Sequence, residues 1–299
     1  MKFGVMAAVV AIWAGCAQAQ APRDEGDVAA AVEVLVAAEA LAILLPSSEL
    51  AACQVAIDAT RRNTGDVRAS SSRIAMLHAG LVRGSSPLQI VRIRSPFVQR
   101  ELDFLKAELD KLHPFLDVAA RGEFEATYLA VMRDHRVRAT EQADRVVSAI
   151  SGTFMHSRVD LFESGTLRAL SQLELSVEIA RAAICAIRLG LEAPRAELGT
   201  AVTDFAQALD LATSGDTLAR VLPPSPVLTE ALNCASNRFK AERGTLADIA
   251  RGATLDTLDA GRVEAGLAAL LFDVRLVARI YKAQLADYPI PDVSCAAVI

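Results

Sequence analysis

The chain has 299 residues, a formal net charge of −5, and 53% hydrophobic residues, with only 5% aromatic. Its mean hydropathy of +0.31 excludes a disordered chain. With 16 Gly and 11 Pro it is neither collagen-like nor linker-heavy, and 36 Asp+Glu against 31 Lys+Arg argue against general nucleic-acid binding.

The first nineteen residues, MKFGVMAAVVAIWAGCAQA, read as an export signal. Lys2 leads an apolar stretch from Phe3 to Ala14, and Ala17-Gln18-Ala19 supplies a small-residue cleavage site. Cleavage after Ala19 leaves a mature chain of charge −6 without tryptophan, in the periplasm or secreted. Ala14-Gly15-Cys16 supports a competing reading, a lipoprotein anchored through Cys16, although Trp13 fits that signal poorly. Val28 to Leu45 is long enough to span a membrane, but Glu33 and Glu39 lie inside it, and a carboxylate in a bilayer costs several kcal/mol. The expectation is a buried helix that turns these glutamates to one exposed side.

From there the apolar period is helical almost throughout. Val98, Leu102, Leu105, Leu109, Leu112 and Leu116 recur at steps of four and three. So do Leu198, Val202, Phe205 and Leu209, and again Val263, Leu267, Leu270, Val274, Val277 and Tyr281. Leu88 to Arg94 hints at a strand but lies between Gly84 and Pro96, and reads as a loop. Breaks at Pro46, Gly65, Gly84–Pro96, Gly122, Gly190–Pro194, Gly215 with Pro223–Pro226, and Gly252 delimit helices near 28–45, 48–82, 97–121, 123–189, 195–213, 227–251 and 257–287. Residues 123–189 contain no proline; Gly152 and Gly165 are candidate bends, and one helix of roughly 100 Å is expected there at about 1.5 Å per residue. The predicted fold is all-α: two antiparallel helical bundles in series, joined by that long shared helix. The first bundle takes residues 20–150, the second 151–288, and a tail 289–299.

Four cysteines remain beyond Cys16: Cys53, Cys185, Cys234 and Cys295. An even number in an oxidising compartment suggests two disulfides, with three connectivities. Cys295 lies after the last helix, where a bridge to Cys234 would pin the tail, leaving Cys53 with Cys185; Cys185 could also be a small buried hydrophobe. The spacings fit neither a zinc nor a C-x-x-C redox motif.

Residues 65–75 (GDVRASSSRIA) and 170–180 (LSQLELSVEIA), 105 positions apart, share Ser71/Ser176 and Ile74-Ala75/Ile179-Ala180. The second is followed by Pro194-Arg195-Ala196-Glu197-Leu198, a helix running to Asp216, and Leu222-Pro223-Pro224. This order resembles the N-terminal sensor domain of type IV pili methyl-accepting chemotaxis transducers (PilJ-like). The match rests on Gly65, Arg68, Ser71, Arg73 and Ala75 in the first copy, and Gln172, Leu175, Ser176 and Ala180 in the second. The second copy lacks the arginines, with Leu173 and Glu178 in their places. The resemblance covers roughly 65–121 and 165–286. It implies a helical sensor input outside the cell membrane, related in character to nitrate and nitrite sensors. No second membrane span or cytoplasmic signalling region follows the last predicted helix. A free-standing module is therefore expected, read by a membrane transducer or pilus component.

The best candidate for binding is the helix start near Gly65, where Arg61, Arg62, Arg68 and Arg73 cluster with three serines. Arginine forks and hydroxyls hold planar or tetrahedral anions. Ser71 and Ser72 follow Arg68 by three and four residues and share its helical face, whereas Arg73 turns aside and needs a neighbouring helix. Arg68, Ser71 and Arg73 are thus the expected ligands of a small anion such as nitrate or nitrite. The bland alternative is a solvated basic face. Arg92 and Arg94 in the following loop could gate the site. No enzymatic activity, metal or cofactor is expected: His78, His113, His135 and His156 form no H-E-x-x-H pair, and Asp134-His135 has no nucleophile in a recognisable elbow. The competing function class is a periplasmic or lipid-anchored helical scaffold with no small ligand.

Overall fold

The computed structural model describes residues 28–154, 161–285 and 289–295. Among these, the chain folds into eight helices and no strand: α1 (Val28–Ile57), α2 (Arg61–Arg83), α3 (Pro96–Ala120), α4 (Ala126–Phe154), α5 (Leu161–Arg188), α6 (Pro194–Ser214), α7 (Pro226–Ala250) and α8 (Thr257–Leu285). The export signal, Cys16 and His156 lie outside the described residues.

Local sequence explains most helix ends. Proline occupies the first position of α3, α6 and α7, where its missing N–H is no loss. Thr60 caps α2 by accepting from Asn63 N, and Ser225 caps α7 by accepting from Leu228 N. Gly84 and Gly215 end α2 and α6 with positive φ. The 85–94 segment is a loop, closed by a single antiparallel bridge between Ser85 and Ile90.

Three boundaries differ from expectation. Pro46 lies within α1 rather than ending it. Two serines occupy the affected turn: Ser47 Oγ donates to Ile43 O at 3.0 Å and Ser48 Oγ to Leu45 O at 2.7 Å. The break instead falls at 58–60, where Asn63 Nδ2 donates back to Asp58 O at 2.7 Å and helps terminate α1. The expected single helix over 123–189 is two, since α4 ends at Phe154 and α5 starts at Leu161. These two run in opposite senses along α1. Arg133 and Arg136 near the start of α4 meet Glu49 near the end of α1, while Ser171 and Cys185 of α5 meet Glu39 and Cys53 in order. The chain therefore reverses between α4 and α5.

Helices α1 to α4 pack in a ring (α1·α2, α2·α3, α3·α4, α1·α4), and α5 to α8 do likewise (α5·α6, α6·α7, α7·α8, α5·α8). The rings meet along α1 and α5, side by side rather than end to end. Corresponding features recur within two residues of the 132 positions that separate Cys53 from Cys185. Examples are Gly84 and Gly215, the bridges Ser85–Ile90 and Asp216–Val221, and Gly122 and Gly252. The 105-residue pairing of 65–75 with 170–180 instead joins α2 to α5, helices with different places in their rings. Because the equivalent residues Cys53 and Cys185 bond, and the equivalent Glu39 and Ser171 touch, an approximate two-fold axis runs between α1 and α5, parallel to both.

The three apolar stripes read from the sequence are buried along their whole length, from Val98 to Leu116, Leu198 to Leu209 and Val263 to Tyr281. Helix α1 is different. It is apolar on all sides and is covered by α2, α4 and α5, so Glu33 and Glu39 are buried, not turned to an exposed side. By length and composition α1 could cross a membrane, but most of its surface is packed inside the protein. Both disulfides, Cys53–Cys185 and Cys234–Cys295, are formed.

Candidate functional site

Buried charge gathers at two places along α1, with different chemistry. Toward its C-terminal end, Glu49 is fully buried between Arg133 and Arg136 of α4. Arg133 Nη1 donates to Glu49 Oε1 at 2.9 Å and Arg136 Nε to Glu49 Oε2 at 2.5 Å. Both arginines also reach Glu197 of α6, Arg136 with a two-pronged contact at 2.5 and 2.9 Å. Two carboxylates thus meet two guanidiniums. Burial alone would lower the Arg136 pKa, but the facing Glu49 and Glu197 outweigh it and push it up. Burial raises the Glu197 pKa less than Arg136 and Arg133 lower it. A matched cluster of this kind fixes α1, α4 and α6 together and leaves no valence for a ligand. The sequence holds a signal for it: Arg136 occupies a core position in the stripe Leu129, Met132, Ala139, Ala143, Val146 and Ile150, all buried.

The second place is a cavity of about 290 Å³ between α1, α2, α5 and α8. Its polar lining is Glu39, Ser47, Arg73, Ser171, Glu174, Arg275 and Lys282, and its apolar lining includes Ile43, Leu44, Leu167 and Leu170. Glu39 is 6% exposed. Its Oε2 accepts from Ser171 Oγ at 2.6 Å, while Oε1 is buried with no hydrogen-bond partner among the described residues. Burial pushes the Glu39 carboxyl up to about 7, against the opposing pull of the Ser171 hydrogen bond, Arg168 and Lys282. Burial likewise lowers the Lys282 ammonium, with Glu174 and Glu39 acting the other way. Arg275 donates to Glu174 at 2.7 Å and to Glu178 at 3.1 Å.

Of the three ligand residues expected from sequence, only Arg73 lines this cavity. Arg68 points elsewhere, donating through Nε and Nη2 to Ala120 O at 3.2 and 3.0 Å, and so caps the C-terminal end of α3. Ser71 is half-buried on α2 away from the cavity lining, as are the exposed Arg61, Arg62, Arg92 and Arg94. Arg73 lines the cavity together with residues of α1, α5 and α8. Leu170, Ser171 and Glu174 belong to the second motif segment, so the two segments paired in the sequence face the same cavity. Arg275 and Lys282 carry no local signal, because the helices that meet here are far apart in the chain, and Glu39 stands out only as a carboxylate inside an apolar run.

Comparison with known protein families, curated proteins and solved structures finds no match to this chain.

Proposed function

We propose that this protein is an exported, non-catalytic, sensor-type helical module that binds a small anion in the cavity between α1, α2, α5 and α8. A membrane-bound signalling or pilus partner would read its state. The observation that supports this reading is the presence of Arg73, Arg275 and Lys282 around one partly apolar cavity built from both rings of helices. The PilJ-like resemblance favours nitrate or nitrite, and the cavity also suits small carboxylates. A thermal-shift titration tests it. A ligand at one hundred times its Kd stabilises by about 2.7 kcal/mol, a rise of several degrees. Arg73→Ala should lose that rise and Arg68→Ala should keep it. Absence of any shift with nitrate, nitrite or small carboxylates refutes anion binding.

One observation favours the scaffold alternative. Phe97 and Phe104, seven residues apart on α3, are each about half exposed, and such aromatics suit contact with another protein. The two readings are separable, because contact through α3 would not respond to Arg73→Ala.

A further inference from the structure

Helices α3 and α7 hold equivalent places in their rings, and so do α4 and α8. Pro96 corresponds to Pro226 and Ala126 to Thr257, offsets of 130 and 131 positions. The buried residues agree: Val98, Leu102 and Leu116 match Leu228, Leu232 and Leu246, while Leu129, Ala143 and Ile150 match Ala260, Val274 and Tyr281. The outer seam between the paired helices differs between the rings. In the second ring the chain's own tail returns to it. Gln284, at the end of α8, donates to Ser225 at the start of α7 at 2.5 Å. From there the chain reaches Cys295, which bonds Cys234 of α7, and Val293 packs against the core. Arg238, one turn beyond Cys234, donates to Asp273 of α8 at 2.8 Å, so this side of α7 faces α8. The segment 289–295 is neither helix nor strand, and Pro289 and Pro291 favour extended backbone in it.

In the first ring the same seam is an open groove of about 710 Å³, lined by Phe97, Glu101, Arg145, Ala149 and Gly152. The counterpart of Cys234 is Phe104, seven residues beyond Phe97 on the same side of α3. These two side chains are 54% and 53% exposed. The charge differs as well. Arg145 stands where the second ring has the buried Leu276, and Arg100 where it has Glu230. Arg100 lies over the Phe97 ring, 5.3 Å from its centre. Glu101 is committed to Gln142, whose Nε2 donates to it at 2.8 Å. Arg145 is exposed and has no carboxylate partner among the described residues.

Resting on the reading that a partner protein contacts this module, and not on anion binding, we infer that the α3–α4 groove receives an extended segment of that partner. The segment carries proline and aliphatic residues that pack on Phe97 and Phe104, and a carboxylate that meets Arg145. The equivalent seam shows the mode, since it takes an extended, proline-bearing segment of this chain. Such segments dock in aromatic-lined grooves because they are already extended and lose little entropy on binding. The chain's own tail is not available to the first ring, being bonded to Cys234. Where the second ring holds its segment by a covalent clasp, the first presents Phe104, which suits a contact that forms and releases.

The test is fluorescence anisotropy of the purified, disulfide-intact protein with a labelled peptide of the tail's own sequence, ADYPIPDVS (residues 286–294), and its amide form, ANYPIPNVS. The acidic peptide should saturate the protein and bind about threefold or more tighter than the amide form. Phe104→Ser should weaken it about tenfold or more. Arg145→Glu should remove the preference for the acidic form. Met76→Ser, a similarly exposed apolar position on α2, should change nothing. All three positions are exposed, so the variants should keep the parent's Tm. No saturation by either peptide up to about 1 mM overturns the inference, and so does binding that Phe104→Ser leaves intact. Equal affinity for the two forms overturns the role given to Arg145. A parent dimer that Phe104→Ser dissociates in analytical ultracentrifugation assigns the face to a second copy and overturns the partner segment. None of these outcomes bears on the anion reading, which turns on Arg73.

Discussion

Glu39→Gln separates the charge of this residue from its shape. Unfolded, a glutamate titrates near 4.5, whereas burial holds Glu39 near 7 in the folded protein. Between those values the native state keeps a proton that the unfolded state has released. Stability therefore falls as pH rises through this window, and the loss is complete above about pH 7. A gap of about 2.5 pKa units corresponds to about 3 kcal/mol at about 1.36 kcal/mol per unit. Glutamine fills the same space and never ionises. The variant should match the parent at pH 4.5 and exceed it by about 3 kcal/mol at pH 8.5, or about 6–10 °C in Tm. Other groups titrate over this range as well, so the informative quantity is the difference between the two proteins in urea or thermal denaturation at each pH. A difference that does not change with pH would refute the reasoning. So would a variant less stable than the parent at pH 8.5, which would mean that Glu39 is held charged by the cations around it.

Three further outcomes follow from the packing. Glu49→Ala leaves Arg133 and Arg136 buried with half of their partners gone, and should cost about 3–5 kcal/mol in chemical denaturation; a loss under 1 kcal/mol would show that water replaces the carboxylate. In Gly165→Ala the new methyl would collide with the Arg220 carbonyl group, its carbon lying 2.7 Å away, and would sit 2.8 Å from Ala219 O. It should destabilise by about 1–3 kcal/mol through displacement of the 216–221 turn, read as a fall in Tm. Removing the Cys53–Cys185 bridge as a paired alanine variant frees a loop of 132 residues and should cost about 5 kcal/mol on the chain-entropy account, measured against the parent under non-reducing conditions.

The sequence was most legible where a helix has one wet side. In α3, α6 and α8 the stripes at steps of three and four mark the faces that are buried. Helix α1 defeated the same logic because it has no wet side. Its glutamates read as a polar side from the helix alone, whereas α2, α4 and α5 cover it in the structure. The reversal between α4 and α5 is harder to read, since residues 123–189 hold no proline and only the separate Gly152 and Gly165 lie on either side of it. Pro46 shows that a proline inside a helical run does not always end the helix, since α1 continues through it. Arg73 stands out in sequence because it sits in a dense basic run. Arg68, in the same run, is spent on the end of α3, and nothing in the spacing distinguishes a guanidinium aimed at a carbonyl from one aimed at a cavity.

The difference between scaffold and site lies in how buried charges are matched. Glu49 and Glu39 are both carboxylates on the same helix, both almost fully removed from solvent. Every oxygen of Glu49 meets a guanidinium, and its partners are in turn held by Glu197, so the cluster is electrically and geometrically closed. Glu39 has one hydroxyl and an empty valence, at the edge of a cavity whose cations come from other helices. Leaving an oxygen unsatisfied in a core costs stability, and the same helix carries the closed alternative about three turns further on. The fold could have matched Glu39 in the same way with an arginine from α5, where Ser171 stands. That it presents a serine there, and leaves the remaining oxygen buried without a donor beside a cavity, is the strongest physical reason for seeking the function at this point in the α1–α5 seam.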